Sequence, residues 1–225
     1  MKLVLKKNYL EIEEKVKKAC KEANRNPDEV EIIAICKRQC IEKVSYVRQL
    51  GIKSFGENRV QDAKKRWSIL KKEKATLRFV GPLQSNKADE AVSLFDVIET
   101  IDRDKVALAV SRAEIKLQKK REYMIQVNTG EENQKSGIPP QNVDNFILRA
   151  KKEYGLNIAG LMCIPPENEN PAIHFAFLRE ISYRNNLKKL SMGMSNDFET
   201  AIEFGATHIR IGTSLFGERL LKEEQ

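Results

Sequence analysis

Two stretches of this chain carry residues whose types and spacing suit chemistry. In the first, "EIIAICKRQC", Lys37 directly follows Ile32 to Cys36, five residues that read as a buried strand. An amine held against apolar strand ends has its neutral form favoured by desolvation, which suits Schiff-base formation with an aldehyde. Read on position alone, the same lysine could instead form an ion pair with a neighbouring carboxylate such as Glu57 or Glu99.

The second stretch, "SMGMSNDFETAIEFGATHIRIGTS", holds two phosphate signals. Gly212 allows close backbone approach, and Thr213 and Ser214 supply hydroxyls and amides at a helix start. Ser195 offers another hydroxyl beside "NDFE", itself a helix start. Taken singly, Ser195 or Asn196 and Thr213 read as N-caps. Arg210 points the same way as Gly212 if residues 208 to 212 alternate, toward either a barrel carboxylate or a heteroaromatic nitrogen or anionic group of a ligand. An aldehyde-bearing, phosphorylated, heteroaromatic ligand satisfies all three features, and pyridoxal 5′-phosphate has those properties. A phosphosugar on a Schiff-base lysine, as in an aldolase, would need no cofactor.

These residues need a scaffold that brings separate strand ends together, and the hydrophobic period supplies one. A leading amphipathic helix, "KKNYLEIEEKVKKACKEA", stops at "NPDEV". Eight short β-rich runs follow: "EIIAIC", "IKSFGE", "TLRFVG", "DVIETI", "EYMIQVN", "NIAGLMCI", "KLSMG" and "HIRIG". Each precedes a longer run of helical period. An open doubly wound sheet also alternates, but eight regular units without an inserted domain predict a closed (β/α)8 barrel. The expected organisation is one domain over 1–225, with 1–30 as leading helix and turn and 31–219 as the barrel. Barrels use the carboxyl ends of their strands, here Lys37, Asn58, Gly81, Glu99 and Thr100, Asn128, Ile164, 191–195 and 210–214.

Composition narrows the function classes. With 41% hydrophobic and 32% charged residues, the chain reads as a soluble globular protein, expected in the cytoplasm. The net charge of +8 comes largely from scattered lysine pairs among glutamates, which read as solvated helix faces; no nucleic-acid partner is expected. Cys20, Cys36, Cys40 and Cys163 form no C-x-x-C pair and imply a reduced compartment, and neither His174 nor His208 has ligand spacing to a Cys or carboxylate, so no metal is expected. No apolar run approaches the ~18 residues of a membrane span.

The blocks "AICKRQ", "FGENRVQDAKKRW", "RFVGPLQSNKA", "IQVNTGEENQKSGI", "GLMCIPP" and "LSMGMSNDFETAIEFGATHIRIGTSLFGER" resemble the YggS/PROSC family of pyridoxal phosphate homeostasis proteins, in order from about residue 31 to 219. The resemblance implies a fold similar to the N-terminal barrel of bacterial alanine racemase, with pyridoxal 5′-phosphate as a covalent aldimine on Lys37. It also implies Arg210 at the pyridine nitrogen, Ser195, Gly212 and Thr213 around the phosphate, and Asn58 near the ring. The chain departs from the family pattern at Cys36, Arg38, Arg59 and Pro82.

A racemase needs a base on each face of the α-carbon, and in alanine racemase the second is a tyrosine of a further β-domain across a dimer. The chain ends at Gln225 without room for that domain, and Tyr46, Tyr123, Tyr154 and Tyr183 fall at no obvious strand end. The expectation is therefore a non-catalytic protein of vitamin B6 homeostasis that stores or delivers pyridoxal phosphate, its partners being the cofactor and pyridoxal-phosphate-dependent apoenzymes. A weak amino-acid racemase is the alternative. Lys87 and Lys135 are candidate helpers in release, or simply solvated lysines. Either a monomer or a weak dimer fits.

Overall fold

A computed structural model describes residues 1–132 and 134–217. Eight parallel strands close into a barrel in chain order: β1 (Glu31–Ile35), β2 (Ser54–Glu57), β3 (Thr76–Phe79), β4 (Val97–Ile101), β5 (Glu122–Val127), β6 (Asn157–Cys163), β7 (Lys189–Met194) and β8 (His208–Ile211). Closure is made by β1 pairing with β8, Ile33 opposite Arg210 and Ala34 opposite Ile211. The alternation read from the sequence is thus the observed (β/α)8 architecture.

Helices α1 (Lys2–Glu22), α2 (Ile41–Gln49), α3 (Val60–Leu70), α4 (Ala88–Leu94), α5 (Asp104–Leu117), α6 (Val143–Lys152), α7 (Pro171–Arg184), α8 (Phe198–Glu203) and α9 (Thr213–Phe216) accompany the strands, with short 3-10 turns at Pro27–Glu29, Ser85–Lys87 and Pro140–Asn142. The leading helix starts at Lys2 and buries Leu5, Ile12, Val16, Ala19 and Cys20 along one stripe. That stripe packs on α8, α9 and α2, so α1 occupies the place in the outer ring between the helices following β7 and β1. Asn8 Nδ2 donates to Leu215 O at 3.0 Å and Arg25 Nη1 to Ile202 O at 2.8 Å, fixing this seat. The helix expected over 213–225 is α9 as far as residue 216; residues 218–225 lie outside the described residues.

The main apolar cluster lies between sheet and helices, whereas the lumen is polar at its centre. Ser191 Oγ on β7 donates to Glu99 Oε2 on β4 at 2.6 Å with two strands intervening, a bond that crosses the lumen. Register then puts Met162, level with Ser191, and Gln126, level with Met162, on the same inner face. No helix of the described residues is long and apolar enough to cross a membrane.

Candidate functional site at the carboxyl end of the barrel

The β1–β8 junction brings the expected lysine and phosphate residues to one edge. The Cβ of Ile35 lies 3.6 Å from where a Cβ on Gly212 would stand, and Lys37 follows two residues later, half-buried, in a turn closed by Gln39 N–H donating to Cys36 O at 3.0 Å. Arg38, the next turn residue, is left-handed at φ 60.

On the other side of the junction, Gly212 caps α9 and its carbonyl accepts from the amides of Leu215 and Phe216. Ser214 N–H donates to Ser195 Oγ at 3.3 Å, which joins the loops after β7 and β8. Ser195 arrives there through an irregularity in β7: Ser191 is opposite His208 but Met194 is opposite Arg210, so β7 uses three steps where β8 uses two. Gly193 makes the bend with φ 88, and a Cβ there would lie 2.5 Å from Ala201 Cβ. Ser214 Oγ is buried without a hydrogen-bond partner among the described residues, as expected of a hydroxyl shaped for a missing acceptor. An oxyanion such as a phosphate fits that cradle.

Arg210 is buried and meets no carboxylate directly among the described residues. Its Nη1 donates to Ser191 Oγ at 3.0 Å and its Nη2 to Cys163 O at 2.7 Å. Burial pushes the Cys163 thiol up to about 12, against the pull of Arg210. Asn58, half-buried, directly follows β2, and its carbonyl passes so close to Gly81 that a Cβ there would sit 2.2 Å from Asn58 O. The loops after β2 and β3 therefore touch through a glycine.

Some expected placements need correction. Glu99 and Thr100 lie inside β4, which runs on to Ile101, and not at the mouth. Glu99 is a lumen residue because an inward carboxylate there finds Arg78 Nη1 at 2.6 Å and Ser191. Glu57 faces α3, where Oε1 accepts from Arg66 Nε at 2.8 Å and Trp67 Nε1 at 3.1 Å; burial raises its pKa despite the arginine. Both carboxylates named as ion-pair partners for Lys37 are thus engaged by arginines. Ser191, assigned to a strand end, is likewise an interior residue.

Lys87 pairs with Glu90 at 2.8 Å, and Lys135 pairs with Glu132 at 2.6 Å and donates to Pro165 O at 3.2 Å. Of the positions that depart from the family pattern, Arg38, Arg59 and Pro82 are exposed, while Cys36 is in the core with Sγ 3.4 Å from Ala34 O. Sequence reasoning missed that Glu99 joins Arg78 and Ser191 in one lumen set, and missed Arg66 beside Glu57, although a lone Arg inside "TLRFVG" was a signal.

This arrangement has relatives. The family described as alanine racemase, N-terminal domain, matches residues 9–220. An alanine racemase of Clostridium difficile 630 superposes with TM-score 0.72 at 10% identity, over 94% of this chain and 57% of that chain, a likeness of fold alone. The barrel is therefore of the alanine racemase N-terminal class. PipY of Synechococcus elongatus PCC7942, in a structure with PLP bound, superposes with TM-score 0.77 at 30% identity over 90% of this chain and 100% of that one. A pyridoxal phosphate homeostasis protein of Aquifex aeolicus (strain VF5) is 36% identical over 215 residues, 92% of this chain and 94% of the relative. The chain belongs to the family of pyridoxal phosphate homeostasis proteins.

Proposed function

We propose that the protein holds pyridoxal 5′-phosphate at the β1–β8 edge, covalently as a Schiff base on Lys37, and stores or delivers it within vitamin B6 homeostasis. The observation that carries this reading is the junction itself: Lys37 follows Ile35, Ile35 packs on Gly212, and the buried, unpartnered Ser214 hydroxyl lies two residues beyond. The bound cofactor supplies a reactive aldehyde, and holding it on an amine keeps that aldehyde from other amines. Lys37 provides the amine; Ser195, Gly212, Thr213 and Ser214 bind the phosphate; Arg210 faces the pyridine nitrogen and Asn58 flanks the ring. A guanidinium stays charged, so it disfavours a proton on that nitrogen and leaves the ring a weak electron sink.

The tyrosines bear on one racemase arrangement, in which a tyrosine is the second base. Tyr9, Tyr46 and Tyr183 are on outer helices, Tyr123 is at the amino end of β5, and Tyr154 follows α6 before β6. None lies on a loop that follows a strand, where a second base would be needed. Pyridoxal-phosphate-dependent apoenzymes are the proposed recipients.

The test is the visible spectrum of the purified protein beside Lys37→Ala, with borohydride reduction and mass analysis of the peptide carrying residue 37. A chromophore whose reduced adduct maps to Lys37 is expected. A colourless protein that takes up no added pyridoxal phosphate would overturn the assignment. Amino-acid racemisation above the rate of free cofactor, lost in Lys37→Ala, would overturn the carrier reading alone.

A further inference from the structure

The turn that presents Lys37 is held from behind. Arg66, on α3, donates from Nη2 to Cys36 O at 3.1 Å and from Nη1 to Gln39 O at 2.6 Å, the two carbonyls that bracket Lys37 and Arg38. Its third donor, Nε, is on Glu57 Oε1 at 2.8 Å, and Trp67 Nε1 donates to the same oxygen at 3.1 Å. Arg66 is 8% exposed and Glu57 1%, so the fork works without competition from water. Trp67 is in turn fixed against Phe55, their ring centroids 5.2 Å apart.

We propose that Arg66, oriented by Glu57, is the positioning residue for Lys37. A guanidinium is a rigid planar fork, so contacts at both ends of one turn fix the turn's tilt as well as its distance from α3. Of the two residues between the carbonyls, Arg38 has φ 60, a conformation in which a side chain with a Cβ is strained, and the clamp holds it there. Lysine could keep the charge opposite Glu57 but cannot hold two diverging carbonyls with fixed geometry. Lys37 touches the ligand; Arg66 acts on it only through the backbone.

This inference rests on the Schiff-base reading, and the experiment separates the two. Wild type, Arg66→Lys and Arg66→Met would be mixed with pyridoxal phosphate, the rate of adduct formation followed by absorbance, and the adduct located after borohydride reduction. Hydrogen exchange at the Gln39 amide, measured without cofactor, reports the turn directly. In Arg66→Met, adduct formation at Lys37 is expected to slow on the order of tenfold or more, and Gln39 exchange to quicken. Arg66→Lys, which keeps the partner of Glu57 and so guards against a variant that fails to fold, is expected to slow the adduct as well. A purely structural role would lower the melting temperature and leave the adduct rate of the folded variants within about twofold of wild type, and that result would overturn the proposal. No adduct in wild type would instead sink the cofactor reading.

Discussion

Among the described residues Arg210 reaches its counter-charge through a hydroxyl: Nη1 donates to Ser191 Oγ at 3.0 Å, and Ser191 donates its single proton to Glu99 Oε2 at 2.6 Å. Because that proton is committed to the carboxylate, Ser191 presents lone pairs to the guanidinium and so sets its orientation. Ser191→Ala should destabilise the protein by about 1–3 kcal/mol, since it strips a buried carboxylate oxygen and a buried guanidinium of one partner each. Urea unfolding of the two proteins measures this. In the loaded protein the visible maximum should also shift as Arg210 relaxes, which a spectrum of each form would reveal.

Beneath this pair, Arg78 Nη1 holds Glu99 Oε1 at 2.6 Å, with both side chains buried. Glu99→Leu should cost about 3–5 kcal/mol by leaving Arg78 in the lumen with the more distant Glu31, at 3.8 Å, as its remaining counter-charge among the described residues. Combining it with Arg78→Met should recover part of that loss, because the poorly compensated buried charge is then gone. A double-mutant cycle in denaturant is the measurement, and strict additivity of the two losses would count against the pairing.

Gly81 and Asn58 make a prediction about shape. A Cβ at residue 81 would meet Asn58 backbone oxygen at 2.2 Å, so Gly81→Ala must push the loop after β2 away from the loop after β3. A loss of about 1–3 kcal/mol is expected, as for overpacking elsewhere. Affinity for pyridoxal phosphate should fall with it, since Asn58 moves, and titration of the apo-protein by absorbance checks this. Unchanged affinity would remove Asn58 from the site.

At the far end of the barrel, burial pushes the Glu31 carboxyl up, but hydrogen bonds from His208 and Ser54 and the charge of Arg78 prevail and bring it from 4.5 to about 2. A depressed carboxylate contributes stability that is present above its unfolded value and lost as pH falls toward the folded one. The advantage of wild type over Glu31→Gln should therefore hold at neutral pH and shrink between about pH 5 and pH 2. Thermal melts of both proteins across that range test the sign; a gap that widens on acidification would contradict it.

The barrel was legible because each β-rich run gives way to a helical period, and the placing of Lys37, Gly212 and Ser195 after strands β1, β8 and β7 was legible because they follow those runs in the sequence. The interior set was not. Glu99 and Ser191 are 92 residues apart, and nothing local to either shows that two strands stand between them while their side chains meet across the lumen. Arg66 sits in "KKRW", where two exposed lysines precede it, so its charge reads as one more solvated group until α3 is laid against β2. The extra step in β7 was hidden for a related reason: "SMGMS" alternates well enough as a plain strand, and only pairing with β8 reveals the residue too many.

The seat of α1 bears on when the site can exist. Asn8 Nδ2 on α1 donates to Leu215 O and Lys43 Nζ on α2 to Phe216 O, each at 3.0 Å, so the short helix α9, which starts at the proposed phosphate residues, is anchored by two segments distant in sequence. These contacts span 207 and 173 residues, so each needs a long stretch of chain to be brought together first. A fragment lacking β8 can contain Lys37, but under the proposed reading it lacks the residues that would bind the phosphate. On that reading, cofactor capture reports that segments far apart in the chain have come together.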